Sequence, residues 1–469
     1  MKRLPITLVL LLAGCASFTP QPLDSGKQQA ALESRRLDAP DVRQFAERSL
    51  GHEITPWPPQ PWGLDALTLV AFYYQPDLDR AQAQRVAAEA ATITAGARPN
   101  PTGGGSFQRN LDAPAGQSPW TNGFTLDIPV ETAGKRDIRI EQAQHLAQAA
   151  KLRAAEAVWQ VRSRVRASLL AAYPTKELVR RQRDLQEEIA HMIERRFVAG
   201  FASQPELTQA RLTLNRATLA LRENQKQGAE NRARLAAAIG VPDAALDGAE
   251  VSYQAFEQLP PVSNLPPTEA RRQALVTRPD VLATLADYEA AQSALQLEIA
   301  KQYPDISIGP GYTWDAGQVK WSLGLSLVLP LLNRNEGPIA EAKARREEAA
   351  AAFLSVQAKA IAEVDEALAG YGHAVEMFET ADALLQAQQK LERSTAAAFQ
   401  GGEADRLSWV SARFETVAAE LARISALSQA QTSLGRVEDA LRRPLGAQGT
   451  LPTAEQVLSS KSHRNGNQP

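Results

Sequence analysis

The chain has 469 residues, and its 51 basic and 53 acidic side chains nearly cancel, so neither a nucleic-acid-binding surface nor an acidic tail is indicated. Aromatic residues make up only 6% while alanine is abundant, which favours long helices over a compact aromatic core. The single cysteine excludes an intramolecular disulfide and a cysteine-cluster metal site, and five scattered histidines argue against a histidine-built one.

The first residues of the chain are predicted to be a secretory signal peptide. It has a basic start at residues 1–3, an apolar run at 4–12 and the sequence LAGC at 12–15. The apolar run is too short to span a membrane, and LAGC resembles the lipobox of bacterial lipoproteins. This resemblance implies that residues 1–14 are removed and that Cys15 carries the lipid anchor, with Ala16 resembling an outer-membrane sorting signal. An ordinary signal peptide with a coincidental cysteine is the alternative.

Residues 15–63 are predicted to be an extended N-terminal segment lying along a surface. The segment is polar and ends in the proline-rich TPWPPQPW at 55–62, which resists helix and central strand alike. A helical pattern then runs from Leu64 to about Ala97. It ends at RPNP, residues 98–101, because a residue before proline avoids the helical region.

The first predicted strand pair leads into a long helix. A short alternating piece at 106–109 precedes a longer one at 124–128, in which FTLDI alternates apolar and polar residues. Pro129 is predicted to stop the strand, because proline lacks the N–H that pairing needs. Gly134 follows in the tight turn before the helix. Pro129 and Gly134 are therefore predicted to form the joint between sheet and helix.

The second strand pair has the same arrangement and ends at Pro330, 201 residues after Pro129. A proline at 304 stops a helix, and alternating pieces follow at 306–314 and 321–329. Leucines in the last piece alternate with small or polar residues, a pattern typical of a transmembrane barrel strand, although a buried sandwich strand would look similar. Four strands cannot close a barrel, so the membrane interpretation requires several copies of the chain.

Each strand pair is followed by a predicted antiparallel helical hairpin. The first runs from Ile138 to Phe197, turns at Gly200 and returns to Ile239. Pro174 lies inside its first helix, where a kink or local unwinding is expected. The second hairpin starts near residue 339, turns at 399–402 and returns to about residue 441. The apolar residues of the first hairpin fall in heptads that predict close helix packing.

These matches define an internal repeat, because Phe197 and Phe399 lie 202 residues apart, as do Gly200 and Gly402. Two copies of a helix, two strands and a hairpin account for most of the chain. The predicted segments are a signal peptide at 1–14, an N-terminal segment at 15–63, repeat 1 at 64–241, a linker at 242–267, repeat 2 at 268–445 and a polar tail at 446–469.

At this point the sequence resembles the TolC-like outer-membrane efflux family over about residues 64–443. The resemblance implies a homotrimer in which four strands per chain form a twelve-stranded outer-membrane β-barrel and the hairpins form an α-helical tunnel across the periplasm. It also implies a periplasmic adaptor protein, an inner-membrane RND pump and passive transport without a cofactor. The residues that carry the resemblance are the segments 98–101 (RPNP), 126–129 (LDIP), 134–136 (GKR), 278–281 (RPDV), 197–203 and 399–405.

Within this family, the segments VETAGKRDIRIEQAQ and AVWQVRSRVRAS resemble components of heavy-metal efflux. Metal cations are therefore the expected cargo, with organic drugs as the alternative. A periplasmic coiled-coil adaptor or scaffold lipoprotein is a second alternative, but the chain lacks the lipoyl-like segments of an adaptor. Two features depart from the family pattern: Pro174 within a tunnel helix, and Asn333-Arg334-Asn335 where the other repeat has a glycine turn.

No motif supports catalysis, so the candidate functional residues belong to the hairpin tips. Glu403 and Asp405 could give the opening a negative field that attracts cations, or could simply begin a helix, where acidic residues favour the positive dipole end. Arg195 and Arg196 are candidate adaptor contacts, with solvated helix charges as the alternative. The resemblance places adaptor docking at Phe197, Gly200, Phe399, Gly401 and Gly402.

Overall fold

A computed structural model describes residues 18–261, 267–445 and 451–465. Cys15 and the leader lie outside the described residues. Each of the two repeats consists of one or two helices, a strand pair and a long helical hairpin. The helices are α1 (Ser25–Glu33), α2 (Pro40–Leu50), α3 (Leu64–Tyr74), α4 (Pro76–Ala95), α5 (Lys135–Ala171), α6 (Lys176–Val198), α7 (Gln204–Ile239), α8 (Pro267–Thr277), α9 (Pro279–Ala300), α10 (Glu336–Gln400), α11 (Arg406–Leu441) and α12 (Ala454–Asn465).

The strands form one antiparallel sheet in the order β1-β2-β3-β4. They are β1 (Thr102–Arg109), β2 (Trp120–Val130), β3 (Ile306–Asp315) and β4 (Gln318–Leu327). The central pair, β2 and β3, joins the two repeats. Because β1 and β4 are the outer strands, each has one edge that no other strand of this chain covers.

The helices lie side by side in an order that the chain reversals dictate. Next to the sheet the neighbours run α4, α5, α9, α10, and toward the hairpin turns they run α7, α6, α11, α10. The outer positions are thus α4 and α7 on one side and α10 on the other. Within the described residues, the helices contain no apolar stretch that is long enough to cross a bilayer.

The break predicted at Pro174 is confirmed. The first long helix is divided into α5 and α6 around residues 172–175, because Pro174 has no N–H to donate and its ring obstructs the preceding turn. In the second repeat α10 continues without interruption for 65 residues, a length of about 98 Å at 1.5 Å per residue.

The prediction of an extended segment at 15–63 is wrong for residues 25–50, which form α1 and α2. Helix α2 begins with Pro40 and buries Val42 and Phe45 completely. Its apolar residues recur at helical spacing, but the run is short and lies beside proline-rich sequence. The helix is stable because its apolar face packs against α3.

The polar C-terminal tail also contains a helix that the sequence analysis did not predict. Helix α12 packs against α2, α4 and α5. Val457 and Leu458 lie in the same core as Phe45, and the Lys461 ammonium donates to Asp79 at 2.8 Å. The two ends of the described chain therefore meet on one side of the helical hairpins.

The inter-repeat linker also packs against other segments of the chain. Trp62 and Val251 make an isolated parallel bridge, with a Trp62 N–H to Glu250 oxygen distance of 2.7 Å. Tyr371 of α10 donates to the carbonyl of Pro260 at 2.5 Å, and burial raises the pKa of this tyrosine to about 12. The linker is consequently attached to the N-terminal segment on one side and to the second repeat on the other.

Candidate functional site

The sheet has one apolar face. Register and alternation assign every second residue of each strand to the same side. Tyr312 and Trp321 meet there with ring centroids 5.1 Å apart. The apolar face consists of Gly103, Gly105, Phe107 and Arg109 of β1, Trp120, Asn122, Phe124, Leu126, Ile128 and Val130 of β2, Ile306, Ile308, Pro310, Tyr312 and Trp314 of β3, and Val319, Trp321, Leu323, Leu325 and Leu327 of β4.

The opposite face is small and polar. Its charged residues at the loop end form the ion pair Asp315–Lys320 at 2.7 Å, and Thr121 donates to the same aspartate. Glycine, serine and threonine occupy most of the remaining positions. The polar face consists of Thr102, Gly104, Ser106 and Gln108 of β1, Thr121, Gly123, Thr125, Asp127 and Pro129 of β2, Ser307, Gly309, Gly311, Thr313 and Asp315 of β3, and Gln318, Lys320, Ser322, Gly324 and Ser326 of β4.

The apolar face is not covered by the rest of the chain. Trp321 is 80% exposed and Leu323 is 76% exposed. A monomeric soluble protein rarely leaves a contiguous apolar surface of this kind in water. Together with the open edges of β1 and β4, the exposed face indicates a sheet that is completed by further strands and contacts an apolar medium.

The joint between sheet and helix uses one backbone conformation twice. Gly134 precedes α5 with φ +68°, and Asn335 precedes α10 with φ +62°. The two residues are 201 positions apart, one repeat length. Asparagine tolerates the left-handed region better than other residues with a side chain, so the departure at residues 333–335 preserves the turn.

Asparagine also contributes contacts that glycine lacks, because the Asn335 side chain donates to the carbonyl of Glu298 at 2.7 Å. In the first repeat Lys135 has the corresponding role and donates to Tyr303 and to Asp305. Burial would raise the pKa of Asp305, but its hydrogen bonds from Lys135 and Thr132 hold the pKa below its ordinary value. The start of α5 is thereby fixed to the second repeat, and the start of α10 is fixed to the end of α9 in its own repeat.

The two joint prolines occupy different positions. Pro129 was predicted to end β pairing, but β2 continues to Val130, which pairs with Ile306. The prediction is wrong by one residue, because Pro129 lies opposite Ser307 and the strand tolerates its missing donor there. Pro330 lies three residues beyond the end of β4 at Leu327.

The two hairpin tips have the same backbone geometry. Gly200 and Gly402 have φ +78° and +79°. In each turn the residue after this glycine donates back to a helix carbonyl, Phe201 to Arg196 at 2.7 Å and Glu403 to Ala398 at 2.8 Å. This is the glycine-terminated helix end that favours residues without a Cβ. Because tight reversals need positive φ, the sequence predicts it at Gly401 as well as at Gly200 and Gly402. This prediction is wrong for Gly401, which has φ −77°.

The tip side chains divide into packed and exposed groups. Phe399 stacks on Trp409 with ring centroids 5.3 Å apart, and the Arg413 guanidinium lies over the same indole. Phe197 is half-buried. Val198 and Phe201, which the sequence analysis did not single out, are 82% and 84% exposed.

Asp405 begins α11 as its N-cap and accepts from the Ser408 N–H at 2.8 Å. Hydrogen bonds from Ser408, followed by the pairing with Arg196, hold the pKa of this carboxyl below its ordinary value. Its charge therefore supports the helix start at neutral pH and is lost only in acid, below about pH 4. Glu403 is exposed, as is Arg195.

A buried charge cluster joins the two repeats, and sequence reasoning missed it. Glu438 of α11 is 1% exposed and lies 3.1 Å from both Arg162 and Arg166 of α5. Burial lowers the pKa of Arg166, and the Glu438 charge opposes that effect. Arg166 also donates to the Gln431 carbonyl, and the Gln431 side chain donates to the linker at Phe256.

Arg278, the first residue of the RPDV segment, is another buried cation. It pairs with Asp280 at 2.6 Å and Glu363 at 2.7 Å, and it donates to the carbonyl of Ala440. These contacts raise the pKa of the guanidinium despite the opposing effect of burial. The family-like segment at 278–281 is therefore a structural tie between α9, α10 and α11.

Among residues 18–261, 267–445 and 451–465, the structure brings together no group of three or more His, Cys, Asp or Glu side chains that could hold a metal ion. His145 has two carboxylate neighbours, Glu289 at 3.0 Å and Glu141 at 3.9 Å. These are ordinary ion-pair contacts on the surfaces of α5 and α9.

Comparison with known proteins finds a sequence family and several solved structures with the same organisation. The model of the family described as "Outer membrane efflux protein" matches residues 73–241 and 270–446. The pyoverdine export outer membrane protein OpmQ of Pseudomonas aeruginosa is 27% identical over 401 residues, which cover 78% of this chain and 81% of OpmQ. The cobalt-zinc-cadmium resistance protein CzcC of Cupriavidus metallidurans is 26% identical over 240 residues, which cover 50% of this chain and 56% of CzcC.

Among solved structures, the outer membrane protein VceC of Vibrio cholerae superposes with a TM-score of 0.64 at 19% identity. The alignment covers 82% of this chain and 97% of VceC. At this identity the similarity establishes the fold of the chain, long antiparallel helical hairpins joined to a four-stranded antiparallel sheet, which confirms the fold class expected from sequence.

Proposed function

The chain belongs to the outer membrane efflux protein family, and on that premise we propose that it is the outer-membrane channel of a tripartite efflux system. It conducts substrate passively, from a pump and an adaptor, across the periplasm and the outer membrane. The observation that carries the proposal is the uncovered amphipathic sheet, fixed through Gly134 and Asn335 to helices up to about 98 Å long. A sheet that is apolar on one side and polar on the other suits the wall of an aqueous pore.

Closure of the wall requires further copies of the same chain. The open edges of β1 and β4 supply the two sides of a strand pairing between neighbours. The outer helices also support contacts between neighbouring copies. Helices α4, α7 and α10 each expose apolar residues seven positions apart, the spacing of a helix-packing seam. These residues are Val86 and Ile93 of α4, Leu212 and Leu219 of α7, and Met377, Leu384 and Leu391 of α10. We infer a homotrimer with twelve strands.

The hairpin tips are the proposed docking surface for a periplasmic adaptor, which in turn contacts an inner-membrane RND pump. Phe197, Gly200, Phe399, Gly401 and Gly402 form the two turns. The glycines let the backbone come close to a partner at the end of each hairpin. The exposed side chains of residues 198 and 201 add an apolar contact of the kind found at the centre of protein interfaces.

For the cargo, we propose heavy-metal cations, supported by the resemblance to heavy-metal components and by the match to CzcC. Organic compounds are the alternative, supported by the match to OpmQ. Deleting the gene distinguishes between a metal cargo and an organic cargo. Loss of tolerance to cobalt, zinc or cadmium with unchanged tolerance to organic drugs supports the metal cargo, and the opposite pattern contradicts it.

The acidic residues at the second tip give a prediction for ion selectivity. We propose that Glu403 adds a negative field at the tip opening, whereas the charge of Asp405 is largely neutralised by Arg196. Glu403→Gln should therefore lower the cation-to-anion permeability ratio roughly twofold or more, and Asp405→Asn, which retains a capping side chain, should lower it less. Reversal potentials in a salt gradient measure this, and equal ratios in wild type and Glu403→Gln contradict the proposal.

We propose that the mature chain is lipid-anchored at Cys15 in the outer membrane, with its hairpins in the periplasm. Cys15→Ala should abolish incorporation of labelled fatty acid, because the cysteine sulfur is the atom to which the lipid is attached. Immunoprecipitation after labelling measures the result. Continued incorporation in Cys15→Ala would refute the lipoprotein assignment.

The channel itself is tested by reconstitution into planar bilayers. The purified wild-type protein should produce discrete conductance steps that are absent from detergent controls. Failure to conduct, by protein that still has its full helical content, contradicts the proposed function.

A further inference from the structure

Among the described strand residues, Arg109 is the only charged residue on the apolar face of the sheet. It ends β1 at the side of the sheet that lies away from the helices, and it pairs in register with Trp120 of β2. Its guanidinium lies over the Trp120 indole, 5.6 Å from the ring centroid. Arg109 is exposed, and within the described part of the chain it has no carboxylate partner. A cation on a lipid-facing surface is favourable only where it reaches the polar headgroups.

The aromatic residues of the apolar face are concentrated around the same end of the sheet. They occupy the three rows nearest the loops, whereas the rows nearer the helices carry aliphatic residues, proline and glycine. Tryptophan and tyrosine are enriched where the hydrocarbon of a membrane meets its headgroups. Because the proposed channel has its helices in the periplasm, these rows lie at the outer leaflet and Arg109 lies at headgroup level. The aromatic residues are Phe107, Trp120, Phe124, Tyr312, Trp314 and Trp321.

Below Arg109, the apolar side of β1 is recessed. Gly105 and Gly103 occupy the next two rows nearer the helices, and a Cβ built on Gly103 meets no atom within 4 Å. Strand β2 carries Phe124 and Leu126 opposite these glycines. The result is a shallow slot with one apolar wall, which leads from the headgroup level toward the middle of the membrane. A hydrocarbon chain in this slot gains contacts that a flat surface does not provide.

We propose that Arg109, Gly105 and Gly103 form a binding site for lipid A, the phosphorylated glycolipid that holds lipopolysaccharide in the outer leaflet. The planar guanidinium, positioned on Trp120, donates two N–H groups to one phosphate. One acyl chain lies over the two glycines. This inference rests on the proposed trimeric barrel, because β4 of the neighbouring copy forms the second wall of the slot beside the open edge of β1.

The headgroup contact is tested by native mass spectrometry of the detergent-purified trimer, titrated with bisphosphorylated lipid A, dephosphorylated lipid A or phosphatidylglycerol. Wild type should bind the bisphosphorylated form about fivefold more tightly than the dephosphorylated form, and Arg109→Gln should bind both equally. Phosphatidylglycerol, which has a single phosphodiester, should bind more weakly than lipid A. Lys320→Gln is the matched control, because it removes a cation from the polar face near the same end of the sheet, and it should bind as wild type does.

The acyl-chain contact is tested by Gly103→Leu, which fills the slot without changing the charge. Affinity for both forms of lipid A should fall equally, by about fourfold for each methylene group that loses its contact. Unchanged affinity in Gly103→Leu would contradict the placement of the acyl chain.

The outcomes separate this site from other roles of Arg109. The proposal is overturned if Arg109→Gln trimers bind bisphosphorylated lipid A as tightly as wild type does. If those trimers are also less stable, Arg109 is instead a contact between neighbouring chains. Tighter binding of phosphatidylglycerol than of lipid A would likewise overturn it. Wild-type protein that forms no trimer would refute the proposed channel itself.

Discussion

Replacing Leu323 with arginine is expected to abolish assembly of the trimer in the outer membrane. Leu323 lies near the middle of the apolar face and is 76% exposed in the single chain. An arginine at the mid-depth of a barrel's lipid-facing surface costs about 2–4 kcal/mol per chain, and the trimer would bear this cost three times. Leu323→Arg should therefore be missing from outer-membrane fractions, as measured by sucrose-gradient separation and immunoblotting.

The adjacent residue provides a matched control. Ser322 pairs with Gly311 on the polar face of the same strand, so Ser322→Arg places the same side chain in the proposed lumen. This variant should assemble normally and change only conductance or ion selectivity. If both variants assemble, or if Ser322→Arg fails while Leu323→Arg assembles, the assignment of the two faces is wrong.

Glu438→Ala is expected to destabilise the packing between the two repeats strongly. Removing this carboxylate leaves Arg162 and Arg166 buried without their anionic partner. Breaking a buried ion pair in this way costs about 3–5 kcal/mol. The apparent melting temperature of the detergent-solubilised protein, followed by circular dichroism at 222 nm, should fall by several degrees or more.

The exposed pair Arg345–Glu341 on α10 serves as the control, because both of its side chains are largely in solvent. Glu341→Ala should change stability by about 0.5 kcal/mol or less. Equal melting temperatures for Glu438→Ala and wild type would show that the cluster does not hold the two repeats together.

The repeat, the strand pairs and the hairpins could be predicted because each depends on local pattern. Alternation at 323–329 and heptads in the helices reflect which side of each element meets an apolar surface. Pro174 and the tip glycines at 200 and 402 act through their own backbone preferences, and the structure shows a helix break or a left-handed turn at each.

The packing of the N-terminal segment and the C-terminal tail beside the hairpins could not be predicted, because it depends on contacts between distant segments. Phe45 and Val457 become buried only when α2 packs against α3 and α12. The short segments that carry them are too weakly periodic to be recognised as helices by themselves. The charge cluster could not be predicted for the same reason, since Glu438 contacts Arg162 only after the two repeats pack together.

At the tips, the sequence located the turns but not the roles of individual side chains. Asp405 was open to two interpretations, and its hydrogen bond to Ser408 identifies a helix cap. The exposed Phe201 gave no sequence signal, since a single phenylalanine after glycine resembles any turn residue.

The mass of the assembled protein tests the central claim most directly. Detergent-extracted wild-type protein should give, by size-exclusion chromatography with multi-angle light scattering, a protein mass of three chains after subtraction of detergent. In the proposed trimer, three chains join the open edges of β1 and β4 into a closed wall. A stable monomer with full secondary structure would contradict the account, because an uncovered apolar sheet with two free edges could not then form a channel.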